Sequence, residues 1–541
     1  MASLERLLGY GFLPRELPPC FKSHSFGQFG LQAPNTFPDY KKGTKPGSYD
    51  LVRAGHLRRK LDLLNPISYF RLATFVSQNW SALERQTQRS RFSKSSPIVS
   101  TRRAIERATS LSELPYLKLS LASQAPIIFT TDIAKFYSSI YTHAIPWAMH
   151  TKATAKQYRF PTQLLGNHLD LLIRNCQDEQ TIGIPTGPDI SLLVSEILLS
   201  AIDEELAQIG NIKGIRYVDD YFFACRNMQE ADLIENKLFN IFRHYQLDVN
   251  SLKTQKLTPD FAKKLNTDWV NALNLIRFSG NARRQKIELV SSFEKAFSFR
   301  DSYPGENVLK FLCGRMRYLT IDTANRTILE DLLIRSAFIE PGVLPFVLAS
   351  LVRDPTRINE VGTKVHPCLT YLIESNSPRG HSSEVAWSLW GHIIFGLHLD
   401  ANCCSLLVEM QDPVCLLMAL YLRSIGKVAT PTVFDTLNSF ITQENLRGPH
   451  WLMTYEASVK GWLRNTAGVD VISLDPDFAA LRQHGVSFLD VNVLHYIFST
   501  SRASRNTSQG DEETDSDYSQ SDFWDYEPVD DDHEDSELDD E

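Results

Sequence analysis

Two adjacent acids, Asp219 and Asp220, sit in an apolar and aromatic run from Ile215 to Ala224 that reads as strand, tight turn, strand. Neighbouring carboxylates at a hairpin tip repel each other, and burying both is unfavourable unless a cation compensates. Carboxylate oxygens are the ligand class that suits Mg2+. A third acid, Asp132, ends a second β-rich run in which Ile127, Ile128 and Phe129 are strand formers. Two strands side by side set Asp132 against Asp219 and Asp220. Two-metal phosphoryl transfer needs such an arrangement, with ions about 3.5–4 Å apart. Plainer readings exist for each piece: acidic turns aid solubility, and Asp132 also suits the cap of a helix starting at Ile133.

Between the acids, Gly183-Ile184-Pro185-Thr186-Gly187-Pro188-Asp189-Ile190-Ser191 punctuates a loop, and Leu193, Ile197, Leu198 and Ala201 follow at helical spacing. Such a loop lets backbone approach a base or a phosphate closely; an ordinary loop before a capped helix is the other reading. Downstream comes Leu247-Asp248-Val249-Asn250-Ser251-Leu252-Lys253-Thr254.

In order and spacing these segments resemble the palm of reverse transcriptases, within the right-hand polymerases, over roughly residues 60–280. Asp132 matches the first catalytic acid and Tyr217-Val218-Asp219-Asp220 the second acidic motif. The resemblance implies that Asp132 and Asp219 hold two Mg2+ ions (or Mn2+), with Asp220 in support and the Ile133 carbonyl completing one shell. It further implies an aromatic ring, Tyr137, under the sugar of a dNTP, with Gly187 and Ser191 placing nucleotide and template and Lys253 beside the triphosphate. His143 and Trp147 read as structural.

A narrower resemblance rests on Arg15-Glu16-Leu17-Pro18-Pro19-Cys20-Phe21 and on Phe136 to Trp147, which look like the bacterial defence-associated, abortive-infection-like reverse transcriptases. That group implies a role in antiphage defence, with DNA synthesis that is templated, untemplated or protein-primed. Thr186 stands where a glutamine commonly precedes the second glycine, which puts ordinary template reading in question. The template could be a dedicated noncoding RNA, any RNA, or none.

These residues belong to a chain of 541 residues, long enough for two or three domains. No stretch reads as a transmembrane helix, and the start lacks a signal-peptide pattern. The eight cysteines include no Cys-x-x-Cys pair, which argues against zinc and redox sites. A cytoplasmic setting without membrane attachment is expected. The net charge of −8 hides an asymmetry: residues 511–541 hold 17 acids and no Lys or Arg, so residues 1–510 carry 56 basic against 47 acidic residues, +9. The first 131 residues carry 19 basic and 8 acidic residues, +11, a surface suited to phosphate and base contacts.

The expected fold is α+β: reverse-transcriptase-type fingers and palm, then a mostly α-helical domain and a disordered acidic tail. We divide it as 1–55 N-terminal arm, 56–280 fingers and palm, 281–500 helical thumb-like domain, and 501–541 tail. A helix is expected over Leu61–Trp80, fingers over the basic stretch 85–107, and a primer-gripping hairpin over Leu273–Gly280. Arg102 and Arg103 read as triphosphate contacts, or else as solvated helix charge. The tail reads as a solubilising or interaction segment, or as a mimic of nucleic acid in the basic channel. The function implied is RNA-directed DNA polymerase, with dNTPs, template RNA and DNA product as partners; a homo-oligomer stays open. The competing readings are a non-catalytic RNA-binding scaffold on the same fold, which would tolerate loss of the acids, and a template-directed RNA polymerase, against which Tyr137 argues.

Overall fold

In the computed structural model the described residues are 2–37, 43–55, 57–158, 160, 163–258 and 268–491. At the centre lies a four-stranded antiparallel sheet. Two hairpins precede it in the chain. β1 (Gly47–Val52) pairs with β2 (Arg58–Leu63), and β3 (Pro97–Val99) with β4 (Ile105–Arg107). In the central sheet β5 (Ile127–Thr131) lies between β7 (Asp220–Cys225) and β8 (Gln255–Leu257), and β6 (Lys213–Tyr217) forms a hairpin with β7.

The sheet buries one face. Phe129 and Phe223, opposite each other on β5 and β7, stack at 6.0 Å, and Tyr221 follows Phe223 on the same face at 5.8 Å. Their alternation with the half-exposed Phe222 is the period of two that a one-sided sheet requires. Against that face packs helix Met228–Tyr245, whose Phe242 meets Tyr221 edge-on. Helix Ile190–Leu206 runs beside it and is buried on nearly every side, as its apolar composition demands.

The expected helix over Leu61–Trp80 begins later. Residues 61–63 finish β2, and the helix spans Pro66–Gln78. Asn65 caps it by accepting the Ile67 N–H, and Pro66 occupies the first turn, where its missing N–H and fixed φ are no handicap. The primer-gripping hairpin over Leu273–Gly280 is also absent. Asp268–Asn274 is helical, burying Trp269 and Leu273 four residues apart, and residues 275–278 carry no regular structure. Nor is Asp132 a helix cap. The next helix starts at Phe136, because Ile133 pairs with Val249 instead.

From Ala282 to Gln483 the described chain is helical, as expected. The apolar run Leu406–Ile425 is cut in two at Gln411 (φ 56°), after which Asp412 accepts from the Val414 and Cys415 N–H groups and Pro413 opens the new helix. The tail expected to be disordered, 501–541, lies outside the described residues.

This helical region is clasped to the chain's beginning. Phe12 and Phe26 pack with Trp451 and Phe488 at centroid distances of 5.2–6.0 Å. Phe21 pairs with Leu489, and the Trp451 indole donates to the Leu63 carbonyl. Arg58 on β2 forms a fork-to-fork pair with Glu384 at 2.7 and 2.9 Å. Trp451→Ala therefore leaves a cavity where three parts of the chain meet. It is expected to destabilise the fold by about 3–5 kcal/mol, read as a lower midpoint in thermal or denaturant unfolding.

Candidate active site

β6 and β7 end on the pair Tyr217–Asp220, so Val218 and Asp219 form a two-residue turn. Val218 lies at φ 51°, the region that glycine normally supplies in such turns and that a β-branched side chain avoids. The turn is held from beneath. Arg216, fully buried, donates through Nη1 to the Val218 carbonyl at 2.8 Å. The same guanidinium grips Glu196 at 2.9 and 3.0 Å and Asp203 at 2.8 Å, and both acids are fully buried on helix Ile190–Leu206. Tyr221 donates to the other oxygen of Asp203 at 3.0 Å.

Burial works against an ionised Glu196, but Arg216 and the hydroxyls of Ser95 and Ser93 overcome it and hold the carboxyl below its ordinary value. Asp203 goes the other way, because burial outweighs Arg216 and Ser90. The Arg216 guanidinium is held well above its usual value by both acids despite burial.

Asp132 directly follows β5, whose last residue, Thr131, faces Tyr221 on β7. The chain then leaves the sheet zipped to residues 248–250. The Asp132 carbonyl accepts from the Asn250 N–H at 2.9 Å, and the Ala134 N–H donates to the Asp248 carbonyl at 3.0 Å. In such a bridge the intervening residue directs its own polar groups away from the partner strand, so the Ile133 carbonyl lies on the edge opposite Val249. The carboxylates of Asp132 and Asp219 are 3% and 8% exposed by residue and line one cleft of about 1910 Å³, with the half-buried Asp220 beside them. Asp132 Oδ2 lies 3.0 Å from Lys253 Nζ and 3.4 Å from Asn250 Nδ2. Arg59, Lys60, Arg107, Lys118, Lys135 and Arg300 stand on the cleft walls.

The other predicted positions are spread around this cleft. Tyr137 lines it, with its hydroxyl 3.3 Å from Ser195 Oγ, and burial raises its phenol above the ordinary value while Arg107 opposes. Gly187 has φ 121°, and a Cβ there would come within 2.7 Å of Pro14. The Ser191 hydroxyl turns inward to the Pro185 carbonyl. Thr186 exchanges hydrogen bonds with Asp62 on β2, which ties the glycine-rich loop to the β1–β2 hairpin. Arg102 is half-exposed, 4.0 Å from Glu106. Arg103 is engaged with Asp189, which also accepts from the Ala104 and Ile105 N–H groups, so this arginine fastens the loop to the β3–β4 hairpin.

Sequence reasoning did not single out Glu196, Asp203 or Arg216. A signal was present: Glu196 and Asp203 lie seven residues apart in a helix otherwise rich in Leu, Ile, Val and Ser. Acids on one stripe of a buried helix need a cation.

Residues 60–290 match the family model described as reverse transcriptase (RNA-dependent DNA polymerase). The chain thus carries a reverse transcriptase domain, and the protein is a nucleotidyltransferase of the DNA polymerase class. Among solved structures, telomerase from Candida albicans in complex with the TWJ fragment of telomeric RNA is similar at 13% identity over 67% of this chain and 69% of that one, with a TM-score of 0.28. A superposition that loose says nothing about the reaction. No curated protein matches the chain. Among the described residues no helix is long and apolar enough to cross a membrane.

A depressed carboxyl contributes stability that is complete above its unfolded value, about 4.3 for Glu, and is lost as the pH falls through the lowered folded value. Glu196→Gln is expected to melt lower than wild type at pH 7. Its melting temperature should fall less steeply between about pH 5 and pH 3, which a thermal-melting series across that range checks.

Proposed function

We propose that Asp132 and Asp219 hold two divalent cations, Mg2+ or Mn2+, and that the protein extends a DNA strand from dNTPs in the cleft they floor. The observation that carries this reading is the pairing of two buried carboxylates, one at the end of β5 and one in the β6–β7 turn, at the bottom of a basic cleft. The donor set fits such ions: hard carboxylate oxygens, with the Ile133 carbonyl on the open edge as a further oxygen and no thiol or imidazole competing from these positions. When bound, the metals acidify the primer hydroxyl and neutralise the departing pyrophosphate.

The remaining work falls to this chain's side chains. Basic groups on the cleft walls, among them Arg59, Lys60, Arg107 and Arg300, receive the phosphates of nucleic acid, template RNA and growing DNA. Lys253, seated on Asp132, tempers the repulsion among the acids and lies ready for a nucleotide phosphate. Asp220 supports the turn from the first position of β7. Gly187 and Ser191 hold the loop's shape, one by accepting the close approach of Pro14 and the other through Pro185. Arg102 stays near the triphosphate as an exposed charge, whereas Arg103 contributes through its tether to Asp189. Tyr137 bars a 2′-hydroxyl, which selects dNTPs.

We divide the chain as arm, fingers and palm, helical domain and tail, and assign the activity to antiphage defence in the cytoplasm. Support for the defence reading is that both segments bearing the narrower resemblance are built into the site: Arg15 and Glu16 line the cleft, as do Phe136, Tyr137 and Ser138. The same relatives suggest synthesis with reduced template dependence or a protein primer.

Purified protein given Mg2+ and labelled dNTPs, with and without RNase treatment, is expected to incorporate label. Asp132→Ala and Asp219→Ala should each lower incorporation by on the order of 10²–10³-fold, the loss seen when one preorganised electrostatic group is removed. Incorporation unaffected by either substitution would overturn the assignment. Label that survives RNase marks untemplated synthesis, and label that returns only with the native RNA marks templated synthesis. Tyr137→Ala is expected to gain UTP incorporation relative to dTTP, and no gain would remove Tyr137 as the sugar filter.

A further inference from the structure

We infer that Ser95 and Glu196 are positioning residues that aim the Asp219 carboxylate through the backbone of Val218; this rests on the reading of Asp219 as a metal ligand. Val218 directly precedes Asp219, and its φ of 51° decides where the chain points next. A valine does not hold that conformation unaided. Both of its polar backbone groups are taken by one buried cycle. The Val218 N–H donates to Ser95 Oγ at 2.7 Å, and the Ser95 hydroxyl donates to Glu196 Oε1 at 2.7 Å. The same oxygen accepts from Arg216 Nη1 at 2.9 Å, and Nη1 donates back to the Val218 carbonyl at 2.8 Å. The ring runs from one side of the Val218 residue to the other through a single carboxylate.

The ring has no slack. The second Glu196 oxygen accepts from Ser93 Oγ at 2.9 Å and Arg216 Nη2 at 3.0 Å. Ser93 pairs with Arg216 in a parallel bridge. The Arg216 N–H donates to the Phe92 carbonyl and the Lys94 N–H to the Arg216 carbonyl, each at 2.8 Å. Ser95 and Glu196 are both fully buried. No water exchanges into such a ring without displacing a member, so the turn keeps one geometry. Segment 92–95, which leads into the β3–β4 hairpin, thereby sets the residue that follows Val218.

The measurement is Mn2+ binding to the full-length protein, read as free Mn2+ by electron paramagnetic resonance, alongside kcat and KM for dNTP incorporation. Asp219→Ala gives the reference loss. Ser95→Ala and Glu196→Gln are each expected to weaken Mn2+ binding on the order of tenfold, the usual cost of losing a support behind a metal ligand. The KM for dNTP should stay within about twofold, since neither residue contacts the nucleotide. Val218→Gly added to Ser95→Ala should recover most of the loss, because glycine takes positive φ without strain, and Ser95→Thr, which keeps the hydroxyl, should bind like wild type. If alanine destabilises the fold, Ser95→Cys, close in volume and a weak hydrogen-bonder, takes its place. Wild-type Mn2+ affinity in Ser95→Ala and Glu196→Gln, while Asp219→Ala is impaired, would overturn the positioning role alone; so would failure of glycine to rescue. Unchanged Mn2+ affinity in Asp219→Ala would remove the metal reading and this inference with it.

Discussion

A guanidinium with no solvent exposure, that of Arg216, is the charge around which the central sheet, its acidic turn and the buried helix are arranged. Taking such a group out of water is tolerable only with close anionic partners and filled hydrogen bonds. Here both conditions are met by two neighbouring elements: Glu196 and Asp203 from the buried helix, and the Val218 carbonyl from the turn. Helix, sheet and turn are consequently fixed by one requirement. Two carboxylates against one cation leave the cluster short of positive charge. That fits the opposite displacement of the two acids, one favoured as an anion and the other driven by burial toward its neutral form.

The glycine-rich loop shows a similar economy at the other side of the cleft. Asp189 is fastened to Arg103 and to two backbone N–H groups of the β3–β4 hairpin, while Thr186 is stitched to Asp62 on β2. Two hairpins from the first quarter of the chain thus meet the loop that lies between Asp132 and Asp219 in the sequence. Charges in the basic stretch divide into two kinds. Arg89 and Arg91 bind Glu204 and the Gly210 carbonyl and anchor the region to the end of helix Ile190–Leu206 and the segment after it, whereas Arg102 and Arg107 line the cleft.

Much of this was readable in the sequence because the signals were local. Strand, turn and strand around Asp219 follow from alternation and from the two-residue turn, and Asp132 follows from the β-branched run before it. What escaped was decided at a distance. Residues 61–63 carry no mark separating strand from helix, and they became strand because β1 offered a partner. Residues 273–280 looked like a hairpin, but Trp269 and Leu273 found burial at helical spacing first. Arg103 looked free for a phosphate because its partner, Asp189, lies 86 residues away. The ring beneath Val218 was hard to read, since Ser95 lies 101 residues before Glu196. Only the oddity of acids in an apolar helix hinted at it.

The aromatic clasp bears on how the molecule is made. Phe12 and Phe26 are made well before Trp451 and Phe488, which complete their aromatic cluster. A nascent chain that has reached residue 300 already owns Asp132, Asp219 and Asp220, and its Phe12 and Phe26 can already pack on Tyr69 and Phe70, but the side that Trp451 and Phe488 cover is still bare. Contacts spanning so much sequence form late and slowly. The order of synthesis therefore leaves that aromatic face uncovered until residues 451–488 have been made, and a product stopped before them is left sticky.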